Sequence, residues 1–228
     1  MHHMPMKPKT WSQQKVNETK KTKIGLYGGS FDPIHYGHLN LALELMEHCK
    51  LDEVWFIPAK QNPHKNSEQT ISAEHRLRMC ELALELIPQF SVHRNELCRE
   101  GVSYTIDTVL ELMATHCKGI EHTPQFYLLL GADAIATFTK WHRVIDLVEL
   151  IPVLIGDRGD LPNNWESNFA FEDQAIIDAI KSGLVKTRQM EISSTDIRER
   201  IAGKKYCGHL VPEKALDYIY ANGLYYAV

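Results

Sequence analysis

The chain has 228 residues, 44% of them apolar, and its 25 lysines and arginines against 29 aspartates and glutamates leave a formal charge of −4. A chain of this length fills one large domain or two small ones with a full core, which excludes disorder and collagen-like repeats. So near-neutral a balance exerts no global pull on nucleic acid or anionic membrane; any anion must be held locally, and the expected ligands are small.

Lys7, Lys9, Lys15, Lys20, Lys21 and Lys23 face Glu18 alone at the start of the chain, with no apolar core among them, which argues against a signal peptide. Residues 1–22 read as a basic leader to a domain over 23–228. From there β-rich runs predict strands at 24–27, 54–58, 90–93, 126–130, 153–156 and 184–187. Amphipathic stretches predict helices at 37–49, 73–87, 105–116, 132–139, 144–150 and 171–182. This alternation implies βαβ crossovers: a Rossmann-like α/β fold with a doubly wound, mainly parallel sheet, which binds ligands outside the carboxyl ends of its strands. Residues 157–168 read as a loop. Helical runs at 195–202 and 212–222 place a small helical cap within the C-terminal part, 192–228.

Cys49, Cys80, Cys98, Cys117 and Cys207 are odd in number and form no CxxC. That argues against a disulfide framework and a thiolate zinc site, and fits a reducing, cytoplasmic setting. The apolar run from Phe126 to Phe138 is broken by Asp133 and is shorter than the roughly 20 residues of a membrane span.

The first predicted strand runs into Gly28, Gly29, Ser30, Phe31, Asp32, Pro33, Ile34, His35, Tyr36, Gly37, His38. Two glycines at a strand end let backbone approach a ligand, and the next helix aims free N–H groups at the gap, a ready phosphate site. His35 and His38, three apart, can aim two ring donors at one anion. They can equally cap or pack the helix, or contribute to a metal site, although no further ligand lies at a supporting spacing.

Four further strings follow. PAKQNPHK ends in Lys65, a flexible point charge or simply a solvated loop residue. In Ser103, Tyr104, Thr105, Ile106, Asp107, Thr108, either Ser103 or Thr105 reads as a helix N-cap. Gly131, Ala132, Asp133 precede Lys140, Trp141 and His142; Asp133 can hold a ribose hydroxyl or position a metal-bound triphosphate, or merely start a helix, and Trp141 can stack a ring or pack in the core. Ser193 with Asp196 reads as a capping box, with the Arg198 fork matched to phosphate oxygens one turn on.

The string GGSFDPIHYGH resembles the signature of the nucleotidylyltransferase superfamily, whose HxGH element is related to the HIGH element of class I aminoacyl-tRNA synthetases. With SYT, GAD…KW and ISSTDIR in order from Lys23 onward, the chain resembles the bacterial nicotinate-nucleotide adenylyltransferase family. It carries no lysine-rich KMSKS loop. The resemblance implies transfer of an adenylyl group from ATP to nicotinate mononucleotide, giving nicotinate adenine dinucleotide and pyrophosphate in NAD biosynthesis. It implies catalytic roles for His35, His38 and Arg198, and ATP contacts from Gly28, Gly29, Ser30, Phe31, Gly131, Asp133, Ser193, Ser194 and the catalytic three. Lys65, Tyr104, Thr105, Lys140 and Trp141 are implied for the mononucleotide, and Mg2+ arrives with the ATP phosphates, with no metal held by the protein alone. In place of the family's arginine-led turn after the fifth strand stand Gly156, Asp157, Arg158, Gly159, and Arg158 has no assigned role.

Backbone donors at the start of the helix after Ser103 favour a pyridine carboxylate over the amide, and no carboxylate in 103–108 is placed to accept from an amide, since Asp107 points elsewhere if Thr105 faces the ring. The alternatives are an adenylyltransferase acting on nicotinamide mononucleotide and a non-catalytic dinucleotide-binding regulator. The SYT element, the Lys140 and Trp141 pair and the ISST form argue against phosphopantetheine as substrate.

Overall fold

The structure is a computed structural model that describes residues 21–61, 71–117, 123–159, 161, 165–168 and 174–226. Lys65 and nearly all of the basic leader lie outside these residues. In chain order the elements are β1 (Lys23–Gly29), α1 (Tyr36–Cys49), β2 (Glu53–Pro58), α2 (Ala73–Leu84), β3 (Phe90–Val92), α3 (Thr105–His116) and β4 (Gln125–Gly131). There follow α4 (Ile135–Phe138), α5 (Val144–Leu150), β5 (Val153–Asp157), α6 (Gln174–Gly183), β6 (Leu184–Lys186), α7 (Ser194–Ala202) and α8 (Glu213–Ala221).

The six strands pair in the order β3-β2-β1-β4-β5-β6, every pairing parallel. Strand order reverses between β1 and β4, so the crevice at their carboxyl ends is where a doubly wound sheet takes its ligand. Continuous apolar runs form these strands because helices cover both faces. On one face Tyr27, Phe56 and Leu129 meet α1, α2, α7 and α8 through Leu45, Met79, Ile197 and Ile219. On the other, Leu26, Ile57 and Leu128 meet α3 to α6 through Val109, Phe138, Leu147 and Ile180. The C-terminal cap therefore shares a core with α1 and α2.

Three expectations shift. The helix predicted over 73–87 ends at Leu84, because Pro88 disfavours helical backbone in the residue before it and the Ile87 amide closes a turn onto the Leu84 carbonyl. The helix over 132–139 opens as a 3-10 turn, Ala132–Ala134, before α4. The loop after β5 contains a 3-10 turn, Trp165–Asn168, anchored by a buried Trp165.

Candidate active site

The carboxyl ends of β1 and β4 open into two cavities. The larger, about 660 Å³, is lined by Tyr27, His35, Gly37, His38, Gly131, Asp133, Arg158 and the segment 189–196. The smaller, about 380 Å³, is lined by Gly28, Gly29, Glu96, Ser103, Tyr104, Thr105, Lys140, Trp141 and His142, among others.

In the larger cavity His35 is the N-cap of α1, in extended conformation and buried, and His38 stands one turn in. The His35 amide donates to His38 Nδ1 at 3.2 Å, and the two rings stack with centroids 3.7 Å apart. With Nδ1 accepting, the proton of a neutral His38 resides on Nε2, which makes that nitrogen a donor. Gly37 permits the stack: a Cβ there would lie 3.0 Å from His35 Nδ1. The pair thus caps the helix and lines the cavity at once.

The preceding loop is clamped from three directions. Arg76 Nη1 of α2 donates to the Ser30 carbonyl at 2.7 Å, Arg198 Nη1 of α7 to the Asp32 carbonyl at 2.7 Å, and the Tyr225 hydroxyl to Asp32 Oδ1 at 2.7 Å. Ser194 Oγ donates to the Pro33 carbonyl at 3.0 Å. Phe31 takes φ +49°, a left-handed conformation that costs a bulky residue on the order of 1–2 kcal/mol. Its ring holds that turn by packing edge-on against Tyr27, 5.5 Å between centroids.

These contacts show where several of the residues singled out in the sequence stand. The Arg198 fork is engaged by Asp32 and, through Nη2, by Thr195 Oγ1 at 3.2 Å; Arg198 does not line the cavity. Ser30 and Phe31 are buried and line neither cavity, and the Ser30 carbonyl is held by Arg76. Gly28 and Gly29 face the smaller cavity, because β1 continues to Gly29 and carries them past the larger one. Ser193 caps α7 as expected, accepting from the Asp196 amide at 3.1 Å, and lines the larger cavity with Ser194.

Arg158 brings to the larger cavity a cation whose role the sequence left unassigned; its place just past the carboxyl end of β5, where such sheets bind ligands, was the available signal. Burial and then the Asp133 carboxylate push the Tyr27 hydroxyl far up, with Arg158 pulling the other way, so Tyr27 stays a neutral phenol. Asp133 folds back over Gly131, where a Cβ would lie 2.5 Å from Asp133 Oδ1. Among the described residues no group of three His, Cys, Asp or Glu side chains could hold a metal. The carboxylates that line the larger cavity are Asp133, Glu191 and Asp196; a hydrated divalent cation that arrives on phosphates and keeps most of its waters needs only one or two such groups.

In the smaller cavity α3 opens at Tyr104, which caps it with no side-chain bond. Neither hydroxyl offered as its N-cap takes that place: Thr105 is the first residue of the helix, and Ser103 Oγ accepts from the Lys60 amide at 3.1 Å. The Asp107 amide turns back to the Tyr104 carbonyl at 3.1 Å, so the Thr105 and Ile106 amides are the ones that open α3, and Thr105 lines the cavity. Trp141 packs edge-on against Phe138, 5.1 Å between centroids, and His142 lies against Tyr104 at 4.4 Å. Glu96, buried in the turns before α3, completes the wall and was missed by the sequence reading. Among the described residues no helix is long and apolar enough to cross a membrane.

Residues 26–200 match the model of the cytidylyltransferase-like family. The chain is 39% identical over 204 residues to "Probable nicotinate-nucleotide adenylyltransferase" of Geobacillus kaustophilus, covering 89% of this chain and 86% of that one. It is 40% identical over 205 residues to the protein of the same name in Carboxydothermus hydrogenoformans, covering 89% and 98%. Plasmodium falciparum nicotinic acid mononucleotide adenylyltransferase, solved with APC and with NaAD, shares the fold at a TM-score of 0.66 and 20% identity, over 90% of this chain and 97% of that one. A match spanning this much of both chains places the protein in the cytidylyltransferase-like family, among the nicotinate-nucleotide adenylyltransferases.

Proposed function

We propose that the chain transfers the adenylyl group of ATP to nicotinate mononucleotide, forming nicotinate adenine dinucleotide and pyrophosphate. The observation that carries this is the pair of cavities at the β1 and β4 ends: one lined by ring donors and helix N-termini, the other by an aromatic face and the start of α3. The first suits a triphosphate and the second a pyridine carboxylate.

A phosphate oxygen of the mononucleotide, already ionised at neutral pH, attacks the α-phosphorus. The bond from that phosphorus to the bridging oxygen breaks, and pyrophosphate leaves with the electron pair. No general base is required; the protein positions two mutually repelling anions in line and stabilises the charge that develops. In this reading His38 Nε2 and His35 donate toward the α-phosphate, and Ser193, Ser194 and Arg158 face the departing pyrophosphate. Arg198, with Asp32, positions the histidine loop. Trp141 stacks the pyridine ring, Thr105 and the α3 amides receive its carboxylate, and Tyr104 and Lys140 close the rim. Asp133 would hold Mg2+ through its waters, and the ion, when bound, neutralises phosphate charge.

Pyrophosphate release, followed with ATP and each pyridine mononucleotide in turn, tests the reading. Turnover with the nicotinate form is expected; dinucleotide binding without turnover would instead mark a regulator.

A further inference from the structure

With the pyridine ring read into the smaller cavity, one group on its wall has no part in the chemistry above. Glu96 is 6% exposed and lines that cavity beside Ser103, Tyr104 and Thr105. An ionised carboxylate there repels a ligand carboxylate, whereas the N-terminus of α3 attracts one. The two demands conflict when Glu96 is charged and agree when it carries a proton.

The hydroxyl beside it serves either state. Thr108 Oγ1 lies 2.8 Å from Glu96 Oε1 and 3.4 Å from the Tyr104 carbonyl, and receives an N–H from Arg99 Nη2 at 3.2 Å. While Glu96 is ionised, the Thr108 hydroxyl donates to it. Once Glu96 is protonated, its own O–H donates to Thr108 Oγ1, whose proton turns to the Tyr104 carbonyl; a hydroxyl has two lone pairs and one proton, enough for both arrangements.

The charged groups around Glu96 are for the most part engaged elsewhere. Arg99 is paired with Glu111, Nη2 to Oε2 at 2.7 Å, and Asn95 Nδ2 donates to the other Glu111 oxygen at 2.8 Å. Lys140 and His142 line the cavity from the stretch between α4 and α5, and Lys60 turns its ammonium to the Arg99 carbonyl at 2.7 Å. Burial pushes the Glu96 carboxyl above its ordinary range; the Thr108 and Ser103 hydroxyls and Arg99 pull it down, and Glu111 adds to the rise.

We propose that Glu96 is a specificity-determining residue for the pyridine substituent: its carboxyl group carries a proton when nicotinate mononucleotide is bound, so that the acid enters with a proton and the amide does not. This deepens the adenylyl-transfer reading and rests on it. The proton removes the like charge from the wall and leaves the α3 amides free to select the carboxylate.

The test is the ratio of kcat/KM for the nicotinate and nicotinamide mononucleotides between about pH 5.5 and 8.5. Both carry the same ribose phosphate, so its titration cancels in the ratio. In the wild type the ratio is expected to fall as pH rises, by up to about tenfold per unit, the limit for one coupled proton. In Glu96→Gln, which keeps a neutral hydrogen-bonding group, it is expected to be flat and to exceed the wild-type value at the alkaline end. His142→Asn is expected to keep the wild-type slope. A flat wild-type ratio, a slope that survives in Glu96→Gln, or a slope lost in His142→Asn overturns the proposal. Titration calorimetry of the wild type in two buffers of different ionisation heat gives an independent readout: more protons taken up with the acid than with the amide supports the proposal, and equal uptake overturns it. Folded enzyme that turns over neither mononucleotide would refute the adenylyl-transfer reading, while the calorimetric comparison would still decide the role of Glu96.

Discussion

The two cavities share one sheet edge but are assembled differently. Polar side chains of the larger come from α1, from the turns after β4 and β5, and from the entry to α7, and its histidine loop is held by contacts to α2, α7 and the segment after α8. The smaller is built mostly from the stretch between β3 and α3 and the stretch before α5, laid on the apolar ends of β1 and β4. Charge handling therefore depends on long-range closure, and ring recognition on core packing. Variants in one cavity should separate kinetically from variants in the other.

His38→Ala should break the larger cavity hardest. Loss of one transition-state donor costs roughly 100-fold to 1,000-fold in kcat, and the KM for the mononucleotide should hardly change. Activity within a few-fold of wild type would return the stacked histidines to a purely capping role.

Arg198→Lys comes next and distinguishes a clamp from a phosphate ligand. A point charge cannot reproduce the bonds to the Asp32 carbonyl and Thr195, and hydrogen bonds from a charged donor are worth about 1.5–3 kcal/mol. We expect a roughly tenfold slower turnover, scaled from that figure, together with a lower Tm. A raised KM for ATP at unchanged Tm would put the fork on phosphate instead.

On the other side, Trp141→Ala should raise the KM for the mononucleotide about tenfold, the scale of one aromatic stack, while ATP kinetics stay put. Equal effects on both substrates would erase the distinction between the cavities.

The smallest effect concerns the face of the sheet behind the ring cavity, where Trp55 stacks on His93 at 4.0 Å. Burial and then nearby His116 hold His93 below its ordinary value, so the folded state keeps it neutral. The unfolded chain takes up the proton first as pH falls below about 6.5, and stability is lost in that direction. His93→Phe should flatten this acid-side decline in Tm, and an unchanged slope would place its origin elsewhere.

Both the strands and the helix order were legible because a parallel sheet covered on both faces leaves continuous apolar runs between amphipathic helices. Contiguous motifs were legible too: His35, His38, Gly131, Asp133, Ser193 and Ser194 meet in one cavity, and Tyr104, Thr105, Lys140 and Trp141 in the other. What could not be read was which partner takes each polar group. Nothing local tells that the Arg198 fork closes on Asp32, 166 residues away, or that Ser103 serves the loop after β2 in place of its own helix. Glu96 sits among charged residues in a turn, where sequence alone points to solvent, and only the packing of α3 against that turn buries it.

The clamp on Asp32 has a consequence for cleavage of the chain. Tyr225 lies 193 residues downstream of the carboxylate it holds, yet line neither cavity is what both it and Asp32 do. A single peptide-bond cut among the exposed residues 203–206, between α7 and α8, would leave the sheet and both cavities' side chains covalently intact, while the segment that carries α8 and Tyr225 would be held only by its packing against α1 and α2 and, once lost, would uncover that core. Its departure would also strand a buried carboxylate without its hydroxyl donor, a loss of the kind that costs about 1–3 kcal/mol or more. Such a nicked protein should go on binding the pyridine ring while failing to hold the histidine loop in register, so that limited proteolysis silences transfer before it abolishes recognition.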